Sequence, residues 1–281
     1  MGTFLRVLSG FVFVPLLIWL SRHGGAFFLF LVLNIIVVGL WEFYRLMEAK
    51  GVEPSKKLGI TAALTVATLV YWGGATHFLG MFLALFVMTI TLRELFRPVE
   101  RFPIYDIATT AFGVLYVGWL AIHLLLLREL PREVGVDYLW GSHFLLYAFL
   151  MTWSCDTGAY FLGRAFGRHR LLERVSPKKS VEGAVAGFLA SVGAGILGPL
   201  WFVQDANGVA LLTLPQSALL GALVGIFGQL GDLVESLLKR DAHIKDTSDT
   251  IPGHGGILDR FDSLFFTAPV TYYFLLLAVF R

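Results

Sequence analysis

Residues 58–92 read LGITAALTVATLVYWGGATHFLGMFLALFVMTITL, a stretch of 35 positions without a charged side chain. A helix needs about 20 apolar residues to cross the hydrocarbon core of a bilayer, so this stretch is long enough for two crossings. The sequence Tyr-Trp-Gly-Gly at residues 71–74 favours a turn near its middle. The stretch therefore predicts two membrane-spanning helices joined by a tight turn.

Uncharged stretches long enough for one span recur along the chain. They are residues 23–41, 107–127, 138–155, 183–204, 206–231 and 263–280. A shorter apolar stretch, residues 7–21, can also span if Arg6 and Arg22 snorkel to the two interfaces. The alternative for this stretch, a cleaved signal peptide, lacks a small-residue cleavage site after Ser21. The sequence thus predicts an all-α, polytopic integral membrane protein with about nine transmembrane helices.

The composition agrees with a membrane protein. Hydrophobic residues make up 57% of the 281 positions and charged residues 15%, whereas soluble domains carry about 25% charged residues. The formal net charge of +2 argues against a nucleic-acid partner, which would require a strongly basic surface. Cys155 is the single cysteine, which excludes an intrachain disulfide and a cysteine-based metal site.

The positions of lysine and arginine predict the orientation of the chain. Of the 22 Lys and Arg residues, 18 fall on one side of the nine predicted spans. The other four are Arg22, Arg128, Arg132 and Arg281. Because cytoplasmic loops are enriched in these residues, we expect the N-terminus in the cytoplasm and the C-terminus outside, in an inner or plasma membrane.

The two parts of the chain differ in their polar residues. In residues 1–150 the charges lie in short loops, which is typical of topology anchors, and we interpret this part as membrane scaffold. In residues 151–281 acidic residues join lysines and arginines on the predicted cytoplasmic side. We expect this second part to carry the active site within one continuous membrane domain, because mixed charges at one membrane face suit an anionic substrate with metal ions.

Two upstream motifs in the second part suggest binding groups. Asp156, Tyr160 and Arg164 recur every four residues and so share one stripe of a helix. The segment Ser176-Pro177-Lys178-Lys179-Ser180 precedes a predicted span, where free backbone N–H groups and two lysines favour a phosphate. The competing interpretation of each motif is an ordinary interfacial anchor.

The densest polar region runs from Ser236 to Asp262. It holds Ser236-Leu237-Leu238-Lys239-Arg240, then Lys245-Asp246, then Ile251-Pro252-Gly253-His254-Gly255-Gly256, then Asp259-Arg260-Phe261-Asp262. The glycine-rich part exposes backbone N–H groups suited to phosphate oxygens. Asp259 and Asp262, three residues apart, are predicted on the first turn of the last helix, as ligands of the kind that magnesium prefers beside substrate phosphates.

This region resembles the signature of the CDP-diacylglycerol synthase (phosphatidate cytidylyltransferase) family at every defined position. The resemblance covers roughly residues 150–270 and includes the two upstream motifs. It implies transfer of a cytidylyl group from CTP to phosphatidate, with CDP-diacylglycerol and pyrophosphate as products, at the cytoplasmic face of the bilayer. It also implies Mg²⁺, with a second, different cation and a homodimer left open.

Residue roles follow from this resemblance together with the residue types. We assign catalytic roles to Lys245, Asp246, His254 and Arg260. We assign substrate binding to Arg164, Lys178, Lys179, Ser180, Lys239, Arg240, Gly255 and Gly256. We assign metal binding to Asp156, Asp232, Asp246 and Asp259.

Three other functions are alternatives to this interpretation of the sequence. A transporter would place ionisable groups at the bilayer midplane and have two similar halves, whereas here the charges lie at one surface. A CDP-alcohol phosphotransferase would need a D-G-x-x-A-R pattern, which is missing. A cytidylyltransferase that acts on a different lipid phosphate, such as an isoprenoid glycerol ether, is not excluded by the sequence.

Overall fold

A computed structural model describes residues 2–73, 75–97, 102–203, 210–244, 247–248 and 255–280, with side chains omitted for residues 2–12 and 75–77. Long helices dominate these residues. In chain order they are α1 (Gly2–His23), α2 (Gly25–Glu48), α3 (Lys56–Tyr71), α4 (Ala75–Glu94), α5 (Pro103–Val134), α6 (Trp140–Phe166), α7 (Val181–Phe202), α8 (Leu214–Asp241) and α9 (Leu258–Val279). Each predicted span corresponds to one of them.

Five of these helices are long and apolar enough to cross a membrane: α2, α5, α7, α8 and α9. The chain is therefore a mostly helical, multi-pass membrane protein. The count of nine spans and the orientation of the termini stay predictions.

Helix ends follow the local sequence. At the start of α8, the Thr213 hydroxyl accepts from the Gln216 N–H while the Gln216 side chain accepts from the Thr213 N–H, and Pro215 occupies the first turn. This capping box satisfies N–H groups that have no partner inside the helix. In the sequence, Gly221, Gly225 and Gly228 share one helix face, and Asp232 and Lys239 continue nearly the same stripe, which predicts one helix. Helix α8 continues ten residues past Gly231, so that prediction is confirmed.

The description as all-α overlooked a small hairpin. Strands β1 (Arg170–Leu172) and β2 (Ser176–Ser180) pair antiparallel between α6 and α7, with a register irregularity inside the pair. The basic residues of this segment do not alternate with apolar ones, so the usual strand pattern is absent. Because β2 leads directly into α7, the hairpin fixes where the two lysines of β2 lie.

Small residues bring the helices of the second part together. A Cβ on Gly163 of α6 would lie 3.1 Å from the Cα of Gly183 on α7, and one on Gly221 of α8 would lie 2.7 Å from the Ser191 carbonyl oxygen. Backbones approach this closely only where side chains are absent. Helices α6, α7 and α8 thus form a block against which α9 packs.

Helix α1 is fixed at its far end by Arg128 of α5. This side chain is fully buried. Its guanidinium donates to the carbonyl oxygens of Ser21 (2.7 Å), Arg22 (3.3 Å) and Tyr138 (3.1 Å). Carbonyls at the end of a helix have no partner within it, so a buried cation there is favourable. Arg128 thus holds α1 in place beside the cavity described next.

Candidate active site

A cavity of about 1080 Å³ lies among α1, α6, the hairpin, α7, α8 and the start of α9. Its walls differ in chemistry. Phe13, Val14 and Leu17 of α1, together with Trp153 of α6 and Leu264 of α9, form an apolar side. The remaining walls are rich in charged side chains, so the cavity joins an apolar surface to a polar one.

Three carboxylates from three helices face this cavity: Asp156 of α6, Asp232 of α8 and Asp262 of α9. Asp156 is exposed, and Asp232 and Asp262 are partly exposed, so a ligand in the cavity can reach all of them. The three lie near enough for their charges to interact. Because neighbouring negative charges repel one another, a cation between these carboxylates is favourable.

Basic side chains surround the carboxylates. The Lys179 ammonium of β2 lies 2.5 Å from Asp232. Further cations line the same cavity: Arg164, Arg170, Lys178 and Arg260. The stripe of Asp156, Tyr160 and Arg164 predicted from the sequence faces the cavity as a unit, so that prediction is confirmed.

The hairpin, which carries Arg170, Lys178 and Lys179, is held at its base and at its turn. Glu182, in the first turn of α7, accepts from the backbone N–H groups of Arg168 (3.0 Å) and His169 (3.2 Å). Arg240 of α8 donates to the Val175 carbonyl oxygen at 3.3 Å. These contacts fix the hairpin against α7 and α8, and they place Arg240 at the hairpin instead of on the cavity wall among the described residues.

A second charged cluster joins α8 to α9. The Lys239 ammonium lies 2.5 Å from Glu235 and 2.6 Å from Asp259. All three side chains are well shielded, with exposed fractions of 13%, 3% and 11%. Among the described residues, Glu235 accepts no hydrogen bond of good geometry despite its short distance to Lys239, so this contact is an ion pair.

The loop before α9 wraps around Asp259. The Asp259 carboxylate accepts from the N–H groups of Gly256 (2.9 Å) and Thr247 (3.2 Å) and from the Thr247 hydroxyl (2.8 Å). Gly255 has a φ of +80°, a conformation that favours glycine. Glycine therefore shapes this turn, while the N–H of Gly256 is directed to a carboxylate of the protein.

The residues of the cavity fit a bound divalent cation by their chemistry. Carboxylate oxygens are the ligands that magnesium takes, and three of them meet here with cations for phosphates around them. No three carboxylate, histidine or cysteine groups within the described ranges form a preassembled metal cage. The fit thus rests on the excess of carboxylates, of which Asp232 is already paired with Lys179.

Most of the predicted site residues meet in this region. Those that line the cavity are Asp156, Arg164, Lys178, Lys179, Ser180, Asp232, Asp259 and Arg260. The Ser180 hydroxyl also caps α7 by accepting from the Gly183 N–H at 3.1 Å. Lys239 is connected to the cavity wall through its ion pair with Asp259. The predicted residues Lys245, Asp246 and His254 lie outside the described residues.

Two acidic residues were missed as site residues by the sequence analysis. Asp262 was noted on the first turn of the last helix but was not assigned to metal binding, although its spacing of three from Asp259 favoured a shared role. Glu42 of α2 was interpreted as part of the scaffold. Its carboxylate accepts from the N–H groups of Ile257 (3.2 Å) and Leu258 (2.9 Å), at the start of α9.

Comparison with known proteins shows the family of this chain. A model of the cytidylyltransferase family matches residues 4–278. The phosphatidate cytidylyltransferase of Synechocystis sp. is 36% identical over 97% of this chain and 96% of its own. Those of Bacillus subtilis and Staphylococcus haemolyticus are 30% and 32% identical, over 97% and 95% of both chains. Because the family match covers nearly every residue, this chain belongs to the cytidylyltransferase family.

Proposed function

We propose that this enzyme transfers a cytidylyl group from CTP to phosphatidate, which yields CDP-diacylglycerol and pyrophosphate. The observation that carries the proposal is the two-sided cavity, whose apolar wall on α1 adjoins carboxylates and basic side chains. A lipid phosphate has acyl chains that suit the first surface and a charged headgroup that suits the second. The names of the relatives support the same pair of substrates.

The two substrates would occupy different parts of the cavity. The acyl chains would lie along Phe13, Val14 and Leu17, which removes apolar surface from water or leaves it in lipid. Phosphate groups would lie against Lys178 and Lys179 of the hairpin, because charge-assisted hydrogen bonds to phosphate are stronger than neutral ones. This arrangement would bring the lipid phosphate beside the nucleotide.

The reaction needs positioning more than proton transfer. An oxygen of the phosphatidate phosphate attacks the α-phosphorus of CTP, a new P–O bond forms, and the bond to the β-phosphate breaks as pyrophosphate leaves. The attacking oxygen is already ionised at neutral pH, so no general base is required. Lys179 and Arg260 would stabilise charge on the phosphates, which is the main contribution a protein makes to phosphoryl transfer.

The carboxylates Asp156, Asp232 and Asp262 would hold magnesium, which supplies neutralisation of phosphate charge when bound. Asp259 was assigned to metal binding from the sequence. Its carboxylate also links the loop to α8, because it accepts from three donors of the loop and pairs with Lys239. The identity of a second cation is left open.

The proposal is tested with purified protein, phosphatidate vesicles and CTP labelled at the α-phosphorus. We expect label to enter the lipid phase with equal release of pyrophosphate, and we expect a chelator to stop the transfer because the carboxylates of the cavity then repel the phosphates. The label could instead stay in the aqueous phase when phosphatidate is offered and enter the lipid phase only when an isoprenoid glycerol phosphate is offered. That result would show that the enzyme acts on the second class of lipid phosphate and not on phosphatidate. Full transfer in chelator would overturn the metal assignment.

We further propose nine spans with the N-terminus and the active site at the cytoplasmic face and the C-terminus outside. The support is the unequal distribution of Lys and Arg, since residues on the cytoplasmic side resist translocation. Cysteines introduced near each terminus in a Cys155→Ala background should react with an impermeant thiol reagent from opposite sides of sealed vesicles. Labelling of both termini from the same side would contradict the nine-span topology.

A further inference from the structure

Glu42 is a buried carboxylate in α2, a helix none of whose described residues lines the cavity. It lies on α2 with 0% of its surface exposed. Its partners lie more than 200 positions later in the chain. Besides Ile257 and Leu258, they include the hydroxyls of Ser248 (2.5 Å) and Thr247 (3.5 Å). One carboxylate therefore contacts two separate points of the loop between α8 and α9.

The packing of α2 fixes the place of this carboxylate. Tyr44, fully buried two residues later, fits against Gly59 of α3 and Gly113 of α5, where any Cβ would lie within 2.6 Å of its ring or hydroxyl. The Tyr44 hydroxyl donates to the Thr110 carbonyl oxygen at 3.0 Å. Tyr44 thus sets the depth and the rotation of α2 against its neighbours.

One turn before Glu42, the surface of α2 meets the start of α9. A Cβ on Gly39 would lie 3.6 Å from a Leu258 methyl group and 2.9 Å from Val117. The missing side chain lets α2 approach α9 closely, so that a glutamate three positions later reaches the first N–H groups of that helix.

A carboxylate suits this place better than any neutral group. Helix α9 has no side-chain cap of its own, so its first N–H groups need acceptors from elsewhere. An ionised carboxylate offers two oxygens that accept only, and its negative charge is favourable at a helix N-terminus. Glu42 therefore acts as the cap of α9 from another helix.

The same contacts lead to Asp259. The Thr247 hydroxyl, which contacts Glu42, donates to Asp259 at 2.8 Å. A Cβ on Gly256 would lie 2.1 Å from the Thr247 hydroxyl oxygen and 2.6 Å from the Glu42 carboxylate. Gly256 therefore lacks a side chain because Glu42 and Thr247 occupy that space.

We propose that Glu42 is a positioning residue that holds the loop before α9, and with it Asp259 and Arg260, in the arrangement needed for cytidylyl transfer. This inference rests on the proposed function and deepens it. Glu42 does not contact the substrates. It sets the first turn of α9 and one wall of the cavity, so the scaffold part of the chain takes part in catalysis through this contact.

The test compares Glu42→Gln with Glu48→Gln, a matched change on the same helix. Glutamine keeps the volume of the side chain, but its NH₂ group is itself a donor and would face the donors of the loop. Glu48, the control position, pairs only with Lys56 on the surface among the contacts described. We expect Glu42→Gln to lower kcat about 10-fold or more, because small misplacements of reacting groups have large effects on rate. We expect the KM for phosphatidate to stay within about twofold, since the α1 wall is untouched.

Assays at temperatures well below the melting point of each variant separate positioning from stability. A purely structural role would leave the folded Glu42→Gln enzyme with normal kcat and a lower Tm, and that result would overturn the inference. Glu42→Gln should also speed amide exchange at Ile257 and Leu258, and combining it with Gly256→Ala should add little further loss, because both changes break the same contact.

The outcomes also separate this inference from the proposed function. If wild type and Glu48→Gln both transfer cytidylyl groups to phosphatidate and Glu42→Gln does so equally fast, only the role of Glu42 fails. If wild type shows no transfer, the proposed function fails, and amide exchange still reports whether Glu42 holds the loop.

Discussion

Replacement of Asp232 by asparagine is expected to lower cytidylyl transfer about 1000-fold while leaving the protein folded. Asp232 faces the cavity beside Asp156 and Asp262 and pairs with Lys179 at 2.5 Å. Asparagine keeps the shape but removes a negative charge that would both hold magnesium and orient a lysine toward phosphate. Losing one preorganised electrostatic group typically costs about 10²–10³ in rate, and here two functions are lost together.

The measurement is kcat for transfer from labelled CTP, together with the melting temperature in detergent. Asp241→Asn is the matched control, since Asp241 lies on the same helix and forms an exposed ion pair with Lys50. That control should keep near-normal activity. If Asp232→Asn retained normal activity at saturating magnesium, Asp232 would have no part in metal binding. The equivalent change at Asp246, predicted from the sequence to be as severe, concerns a position outside the described residues.

Replacement of Lys239 by methionine is expected to abolish activity and also to destabilise the protein. Lys239 lies between Glu235 and Asp259, and all three side chains are shielded from solvent. Removing one partner from a buried ion cluster typically costs about 3–5 kcal/mol, because an uncompensated charge is left behind. A fall in Tm of about 10 °C would correspond to a loss of that size.

A second substitution separates stability from function at this cluster. Adding Glu235→Gln to Lys239→Met removes one of the two surplus charges, so the double variant should recover much of the lost Tm. It should stay inactive, because Asp259 still lacks the cation that holds it in place. Lys57→Met, at an exposed position of α3, serves as the control and should leave both Tm and activity near normal. Unchanged Tm in the single variant would contradict the buried ion cluster.

The parts of the fold that local sequence patterns control were predicted well. Uncharged length located the helices, and the extension of α8 to Lys239 followed from the polar stripe that continues the small-residue face of Gly221. The start of α9 at Leu258 placed Asp259 on the first turn as expected, whereas Asp262 lies at the fifth residue of the helix, just past that turn. These features depend on residues close together in the sequence.

The parts that depend on distant contacts were not predicted. Nothing near Glu42 indicates that it caps α9, because its partners are more than 200 residues away and a glutamate after an apolar stretch is also typical of a membrane interface. The pairing of Lys239 with Asp259 and of Lys179 with Asp232 likewise arises only when α8, α9 and the hairpin meet. The sequence shows which residues are charged, but it does not show which of these charges neutralise one another in the folded chain.

The most direct test of the cavity as the reaction site is to locate bound phosphatidate. Purified protein in vesicles would be irradiated with phosphatidate that carries a photoreactive group in one acyl chain, and the labelled peptides would be identified with and without excess unlabelled phosphatidate. We predict labelling, reduced by competition, at Phe13, Leu17 and Trp153 on the apolar wall. The opposite result would contradict the site: excess unlabelled phosphatidate leaves labelling at these positions unchanged and reduces labelling only at exposed residues of α4 such as Met81 and Met88.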